Sequence, residues 1–347
     1  MENLKCIAPK KSYWYGDYTE NGKKKILWTP DTKKKHKEEI IYHNCRQCIP
    51  CRVRQMGETT ARALAEGGEY EKNYMLTLTV DEKYISEIFP EYNLDHRAWQ
   101  LFMKRYRKNH EGETEIIHPK TGKKIKPIRA LMVGEYGTSK TYEQLEKYGN
   151  VKGRPHYHAL IFNHDFKDKV RINPLEENPL YESEELNKLW TYGKATISEF
   201  THQTALYVIK YVLKKRNGKD YESWDLETNP YTYIDKETGE IKKKKLEYIQ
   251  FPRGWGLGAT FYEKYKNDIY AKFHKGIKLG KKRYPVPSYY NRLLEQNDPE
   301  LYEKVKKLKK EYAIKTEKQN QESPERTWDR EEILIKEWEE TEKRSSL

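Results

Sequence analysis

Residues 154–162 read RPHYHALIF: two histidines around one tyrosine, then an apolar run. Side chains alternate across a strand. His156, His158, Leu160 and Phe162 therefore share one face, and Tyr157, Ala159 and Ile161 share the other. The two imidazoles stand roughly 7 Å apart at the backbone. That spacing lets them share one cation, with Leu160 and Phe162 shielding it. Imidazole suits Zn, Mn, Ni or Fe, and with carboxylate and water it also serves a harder metal. A third ligand is needed. The stretch IRALMVGEY at 128–136 reads as a neighbouring strand, and Glu135 in GEYG reaches the pair if the register allows. The plainer reading is two histidines at a strand entrance.

Working outward, NYMLTLTV at 73–80 alternates as a strand. Thr77 and Thr79 share one of its faces, bordering the histidines or simply expressing β-propensity. Helices are expected over 52–68, stopping at Gly67-Gly68, and over 94–110. A third is expected over 201–216, with Thr201 or Thr204 as cap and Asn217-Gly218 at its end. Residues 233–249 suggest a hairpin near Thr238-Gly239, and GWGLG at 254–258 a flexible turn. Residues 1–51 are turn-rich, with Asn21-Gly22 a good hairpin turn. From about residue 294 the chain is charged and helical in character. The order strand, helix, strand, strand, helix implies an α+β fold. It has a central antiparallel sheet of about five strands with helices on its faces. The expected regions are 1–68 with the cysteines, a core at 69–262, and a charged, largely helical accessory region at 263–347.

The third helix carries ALYVIKYVLKK. Tyr207 and Tyr211 are four apart and share a face, with Lys210 and Lys214 close to it. A phenol is a weak nucleophile near neutral pH because its pKa is about 10. A metal on a target phosphate and adjacent lysines would make it competent. Two such phenols permit two successive transfers. The alternative is a core-facing amphipathic helix with aromatic trim.

Composition points to a polyanionic partner. The 347 residues hold 67 Lys+Arg against 54 Asp+Glu, a net +13, and 29 Tyr against 8 Phe and 8 Trp. Lys and Arg neutralise phosphates, and aromatic faces stack on bases. RVR at 52–54, KRYRK at 104–108 and KKRYP at 281–285 are candidate backbone contacts. No stretch approaches 18 apolar residues and the N-terminus has no apolar signal core, so no membrane role is expected. No GxxxxGK[ST] loop is present, which argues against ATP chemistry. Cys45, Cys48 and Cys51 recur every three residues, with His43 beside them and Cys6 upstream. Thiolates so spaced can share a structural Zn²⁺ with Cys6 or His43 as fourth ligand, or form a packed, reduced turn.

In order along the chain, these motifs resemble one family. HYH before apolar residues resembles the His-hydrophobe-His motif of the HUH endonucleases, and YVIKY followed by Lys214 their two-tyrosine nucleophile helix. MLTLT at 75–79, LWTYGKATI at 189–197 and GWGLG fit the same pattern. CRQCIPCRVRQ at 45–55 is similar to the CGxCxxCR opening of the gokushovirus-type rolling-circle initiators of the Microviridae. Arg46 stands where that motif has glycine, and Tyr157 where a Leu or Val is common. The resemblance covers about residues 6–262. It implies a site-specific DNA nickase and strand transferase. Mg²⁺ or Mn²⁺ would sit on His156, His158 and Glu135, and Tyr207 or Tyr211 would form a 5′-phosphotyrosine. The freed 3′-OH would prime a host polymerase behind a host helicase, and the second tyrosine would rejoin the displaced strand. Expected partners are single-stranded and replication-origin DNA, and the expected location is the cytoplasm, that of a bacterial host if phage-encoded. Zinc on Cys6, Cys45, Cys48 and Cys51 would be structural.

Overall fold

The computed structural model describes residues 6–20, 24–33, 39–85, 88–89, 92–111, 116–117, 122, 124–125, 128–138, 152–214, 219–235, 238–317 and four positions beyond (332, 333, 336 and 340). The expected turn at Asn21-Gly22 lies largely outside them, as does the helix stop at Asn217-Gly218. The chain divides into two compact units, one built on the residues up to Gln55 and one on Met56–Lys318.

The first unit is a three-stranded antiparallel sheet of β1 (Lys10–Tyr18), β2 (Lys24–Leu27) and β3 (Glu39–His43), in the order β2-β1-β3. A turn-rich segment therefore holds strands that its irregular alternation conceals. Gly16, at φ 96°, falls where the β1–β2 register shifts. Helix α1 (Ile49–Gly67) begins in this unit and ends in the second.

The second unit is the α+β body. Its strands are β4 (Asn73–Thr79), β5 (Arg129–Thr138), β6 (Lys152–Phe162), β7 (Val170–Arg171), β8 (Leu180–Glu182) and β9 (Ala195–Glu199). A hairpin, β10 (Thr232–Ile234) with β11 (Ile241–Lys243), turns at the expected place. The edge strand β12 (Tyr248–Gln250) follows. Seven of these form one antiparallel sheet in the order β12-β5-β6-β4-β9-β8-β7. The sheet is wider than the expected five because β7, β8 and β12 are too short to show a period.

Strand β6 lies inside the sheet, and every residue from Tyr157 to Phe162 is buried. Helix α2 (His96–Asn109) is started by Asp95, whose carboxylate accepts from the amides of Arg97 and Ala98. It presents Ala98, Trp99, Phe102, Met103 and Tyr106 to Tyr157, Ala159 and Ile161. On the other face, helix α4 (His202–Lys214) sets Ala205, Val208 and Ile209 against Leu160, Phe162, Met75, Leu131 and Val133. Thr201 caps α4. The amide of Thr204 donates to Thr201 Oγ1 at 3.1 Å, and the amide of Thr201 donates back to Thr204 Oγ1 at 2.8 Å. Helix α3 (Glu184–Leu189) adds Leu186 and Leu189 to the α2 side. Helices α5 (Ala259–Ala271), α6 (Ser288–Asn297) and α7 (Pro299–Glu317) enclose a separate cluster around Tyr262, Tyr270, Tyr290 and Leu294.

Tyr157 separates the two histidines for a structural reason. Its hydroxyl crosses to the start of α2, donating to the Asp95 carbonyl at 2.7 Å and accepting the Asp95 amide at 2.9 Å. A leucine would fill the space and leave those backbone groups without this partner. Burial pushes this phenol well above its ordinary pKa, so it stays a neutral donor.

GWGLG is clamped rather than flexible. The buried Glu66 carboxylate accepts from Arg129 and, at 2.7 Å, from the amide of Gly258. Arg129 donates to the carbonyls of Trp255 and Gly256, and Arg62 to that of Leu257. Gly258 has φ 74°, and a Cβ there would stand 2.6 Å from the Tyr290 hydroxyl oxygen. Removing one member of a buried ion pair leaves an uncompensated charge and costs about 3–5 kcal/mol. Glu66→Ala is therefore expected to shift the urea unfolding midpoint sharply downward. Lys188→Ala, which breaks the exposed pair with Glu184, should leave it nearly unchanged.

Candidate active site

Three strands converge on the α4 side of the sheet. Glu135 lies opposite His156 and Val133 opposite His158 across β5–β6. Thr79 lies opposite His156 and Thr77 opposite His158 across β4–β6. Directly opposed residues share a face, so Glu135, both histidines and both threonines gather there. The register needed for Glu135 to reach the histidines is the one adopted.

His158 is held at both nitrogens. Its Nε2 lies 2.7 Å from Glu135 Oε1, and its Nδ1 lies 3.1 Å from Thr77 Oγ1. A hydroxyl can donate or accept, so Thr77 matches either imidazole tautomer. Thr77 is thus a positioning residue and more than a strand former. His156 Nδ1 lies 2.8 Å from the carbonyl oxygen of Arg154. A carbonyl only accepts, so Nδ1 carries the proton and Nε2 presents the lone pair, as a metal-ligating imidazole requires. The His156 ring also lies over Gly137, where an added Cβ would be 3.2 Å from its Cε1. GEYG thus supplies both a carboxylate and the space for a ring; the second role had no signal in the sequence.

Helix α4 brings Tyr207 to the same place. Its ring meets His158 edge-on, with centroids 5.3 Å apart at 86°. Lys210 is buried, and its Nζ lies 4.6 Å from the centre of the Tyr207 ring. Tyr211 and Lys214 lie one turn further along the same backbone; their side chains fall outside the described residues. The donor set of two imidazoles and one carboxylate on adjoining strands fits a divalent ion.

Two basic segments serve the fold instead. In KRYRK, Arg105 donates to the Leu189 carbonyl at 3.0 Å, Arg107 donates to the Ile128 carbonyl at 3.1 Å, and Tyr106 is fully buried. In KKRYP, Tyr284 is buried, with its hydroxyl 2.5 Å from His202 Nε2. The sequence showed their charge but not that internal carbonyls use it.

The first unit holds a second site. The sulfurs of Cys6, Cys45, Cys48 and Cys51 all lie within 4.8 Å of one another, in a set that can hold a metal ion. The Cys48–Cys6 and Cys45–Cys51 separations are 3.8 and 4.0 Å. Four sulfurs about 2.3 Å from a tetrahedral zinc would be spaced at about 3.8 Å. The fourth member is Cys6. His43 is engaged elsewhere, with Nε2 2.6 Å from Ser12 Oγ. Burial raises the Cys45 pKa, but amide donation from Cys48 and Gln47 outweighs it and brings the thiol to about 6. Burial takes Cys51 the other way, to about 12. Arg46 sits at φ 62°, the left-handed conformation that a glycine adopts without strain. The turn keeps its shape although the residue has changed.

The chain matches the family model of the ORF2-type replication-associated protein over residues 73–216, from β4 through α4. It is 28% identical over 321 residues to "Replication-associated protein VP4" of Bdellovibrio phage phiMH2K, covering 89% of this chain and 84% of that one. It is 27% identical over 277 residues to "Replication-associated protein ORF2" of Spiroplasma virus 4, covering 78% and 73%. It is also 27% identical over 259 residues to "Replication-associated protein ORF4" of Chlamydia phage 1, covering 73% and 53%. The resemblance to Microviridae-type replication proteins is borne out. No solved structure is a significant match. Among the described residues, no helix is long and apolar enough to cross a membrane.

Burial, followed by the neighbouring His158, lowers the pKa of His156. In the unfolded chain that imidazole titrates near 6.5. Below that pH the unfolded state binds a proton that the folded state refuses, so stability should fall as pH drops through about 6.5. NMR titration of the metal-free protein is expected to place the His156 midpoint below 6.5. His156→Gln should flatten the pH dependence of unfolding in this range.

Proposed function

We propose that this protein is a phage replication initiator that nicks and rejoins DNA through a tyrosine. One observation carries the reading. His158, hydrogen-bonded to Glu135, meets the ring of Tyr207, and the Lys210 ammonium lies over that ring. A metal-ligating group, a nucleophile and a cation thus share one face of one sheet. The replication-associated names of the similar phage proteins agree with it.

Mg²⁺ or Mn²⁺ on His156 Nε2, His158 and Glu135 supplies Lewis acidity to a scissile phosphate oxygen. The protein's own groups do the rest. Arg154 and Thr77 fix the two imidazoles. The Tyr207 phenol loses its proton and attacks phosphorus. The bond to the 3′ oxygen breaks, and that oxygen takes up a proton to leave as a hydroxyl. The 5′ phosphate stays on the tyrosine. Lys210 charge balances the anion that develops on the way. One phosphodiester replaces another, so no nucleotide cofactor is consumed. Tyr211, one turn on, gives a second phenol for the reverse transfer that rejoins the displaced strand. Extension of the freed 3′-OH is left to a host polymerase and helicase.

The test is a labelled single-stranded DNA pool from the cognate genome, incubated with Mn²⁺ or with EDTA. A metal-dependent band retarded in SDS is expected, and it should vanish in the Tyr207→Phe, Tyr211→Phe double variant. Cleavage without a protein–DNA adduct would overturn the tyrosine mechanism in favour of water. Binding with no cleavage at all would reduce the protein to a nucleic-acid-binding module.

The four-cysteine set is assigned to a structural Zn²⁺. Burial holds Cys48 and Cys51 as thiols, so loading zinc must displace their protons and affinity should rise with pH. Elemental analysis is expected to find one zinc per chain, and Cys51→Ser should lose it. Zinc content unchanged in Cys51→Ser would refute the assignment.

A further inference from the structure

The geometry points to a second DNA contact: one face of the first unit's sheet is a stacking platform for single-stranded DNA. This inference rests on the reading of the protein as a DNA-processing enzyme and names a surface apart from the residues assigned to strand transfer.

The two faces of that sheet differ. Register places Lys11 opposite Tyr42, and Tyr13 opposite both Ile40 and Leu27. Lys25, two residues before Leu27, shares their face. None of these six is buried; Tyr42 is 60% exposed and Ile40 42%. The opposite face is packed: Ser12 is fully buried against His43. A sheet face of two tyrosines and two aliphatics between lysines combines flat rings for bases with cations for phosphates. The Lys11 ammonium lies 5.8 Å from the Tyr42 ring centre, at the platform rim. Lys24 and Trp14 are excluded, because that ammonium sits 3.9 Å over the indole and 2.6 Å from Glu39.

Charge selects the occupant. Residues 1–55 contain 13 Lys and Arg against 6 Asp and Glu, a net +7 of the chain's +13 in under a sixth of its length. A polyanion with exposed, unpaired bases satisfies both the charge and the rings. Duplex DNA hides its base faces and would use only the lysines. The cysteine set sits at one end of this sheet. Cys6 precedes β1 and Cys45 follows β3, and the amide of Cys45 donates to Cys6 Sγ at 3.2 Å. A metal there would tie β1 to β3 and hold the platform flat.

The test uses the full chain, a fluorescein-labelled oligothymidine and anisotropy in EDTA-free buffer without divalent ions. Oligothymidine carries no origin, so binding is read whether or not the protein nicks. Tyr42→Ala is expected to weaken binding about tenfold, and Tyr42→Phe to leave it near wild type, since the ring does the stacking. The Lys11→Gln, Lys25→Gln double variant should lower the slope of log affinity against log salt by about 1.4. All three changes are at unburied positions, and far-UV circular dichroism should match wild type. Unchanged affinity in Tyr42→Ala would overturn the platform, as would an unchanged slope in the lysine variant. Equal loss in Tyr42→Phe, tighter binding to a duplex, or tighter binding to oligouridine would each overturn it too. Failure here with a surviving covalent adduct would sink the platform alone. Loss of the adduct with these results intact would sink the nickase alone.

Discussion

Everything at the candidate site depends on the alternation of β6, a strand enclosed on both sides. A strand so placed cannot slip by one residue, because a slip would send both histidines toward α2 and Tyr157 toward α4. Leu160 and Phe162 on one face and Ala159 and Ile161 on the other hold the register. Each is fully or almost fully buried, and each contributes to fixing where His156 and His158 point. Apolar packing therefore sets the position of the polar groups. The same logic places Glu135. Its neighbours on that face of β5, Leu131 and Val133, are buried against α4 and leave the carboxylate no other side.

Tyr157 shows how the two faces are linked. Its ring belongs to the α2 core, and its hydroxyl satisfies both backbone groups of Asp95, the residue that caps α2. The residue between the histidines thus anchors a helix on the far side of the sheet. Pro155 belongs to the same design. Pairing with β4 ends at His156, so the proline's missing N–H falls where that neighbour has run out.

The histidine pair, the partner strand with Glu135, the Thr201 cap and the nucleophile helix were all legible in the sequence. Each rests on a period or a local cap, and such signals survive without tertiary information. What could not be read depended on long-range partners. The arginines of KRYRK read as surface charge because the Leu189 and Ile128 carbonyls they serve are remote in sequence. GWGLG read as flexible because its clamp comes from Arg62, Glu66, Arg129 and Tyr290, on three other elements. The N-terminal strands were hidden by their shortness and by a register shift near Gly16. Arg46 was visible as a departure from glycine, but only its φ of 62° shows that the turn is kept.

The two candidate metal sites differ in a way that bears on how one chain could keep two ions apart. Four sulfurs at 3.8–4.0 Å separations, drawn from residues within one small unit, favour a soft or borderline ion in a closed tetrahedron. Imidazole and carboxylate on adjoining strands, with no thiolate among them, favour a harder ion that keeps open positions for a phosphate. The ligand sets also differ in how firmly they are built. At the cysteines, backbone amides favour the Cys45 thiolate and a left-handed turn at Arg46 shapes the loop. At the histidines, the second partners are a carbonyl and a hydroxyl, which fix ring orientation while leaving the coordination shell incomplete. A closed soft site suits structure and an open hard site suits chemistry. That division follows from donor type and geometry alone, before any homology is considered.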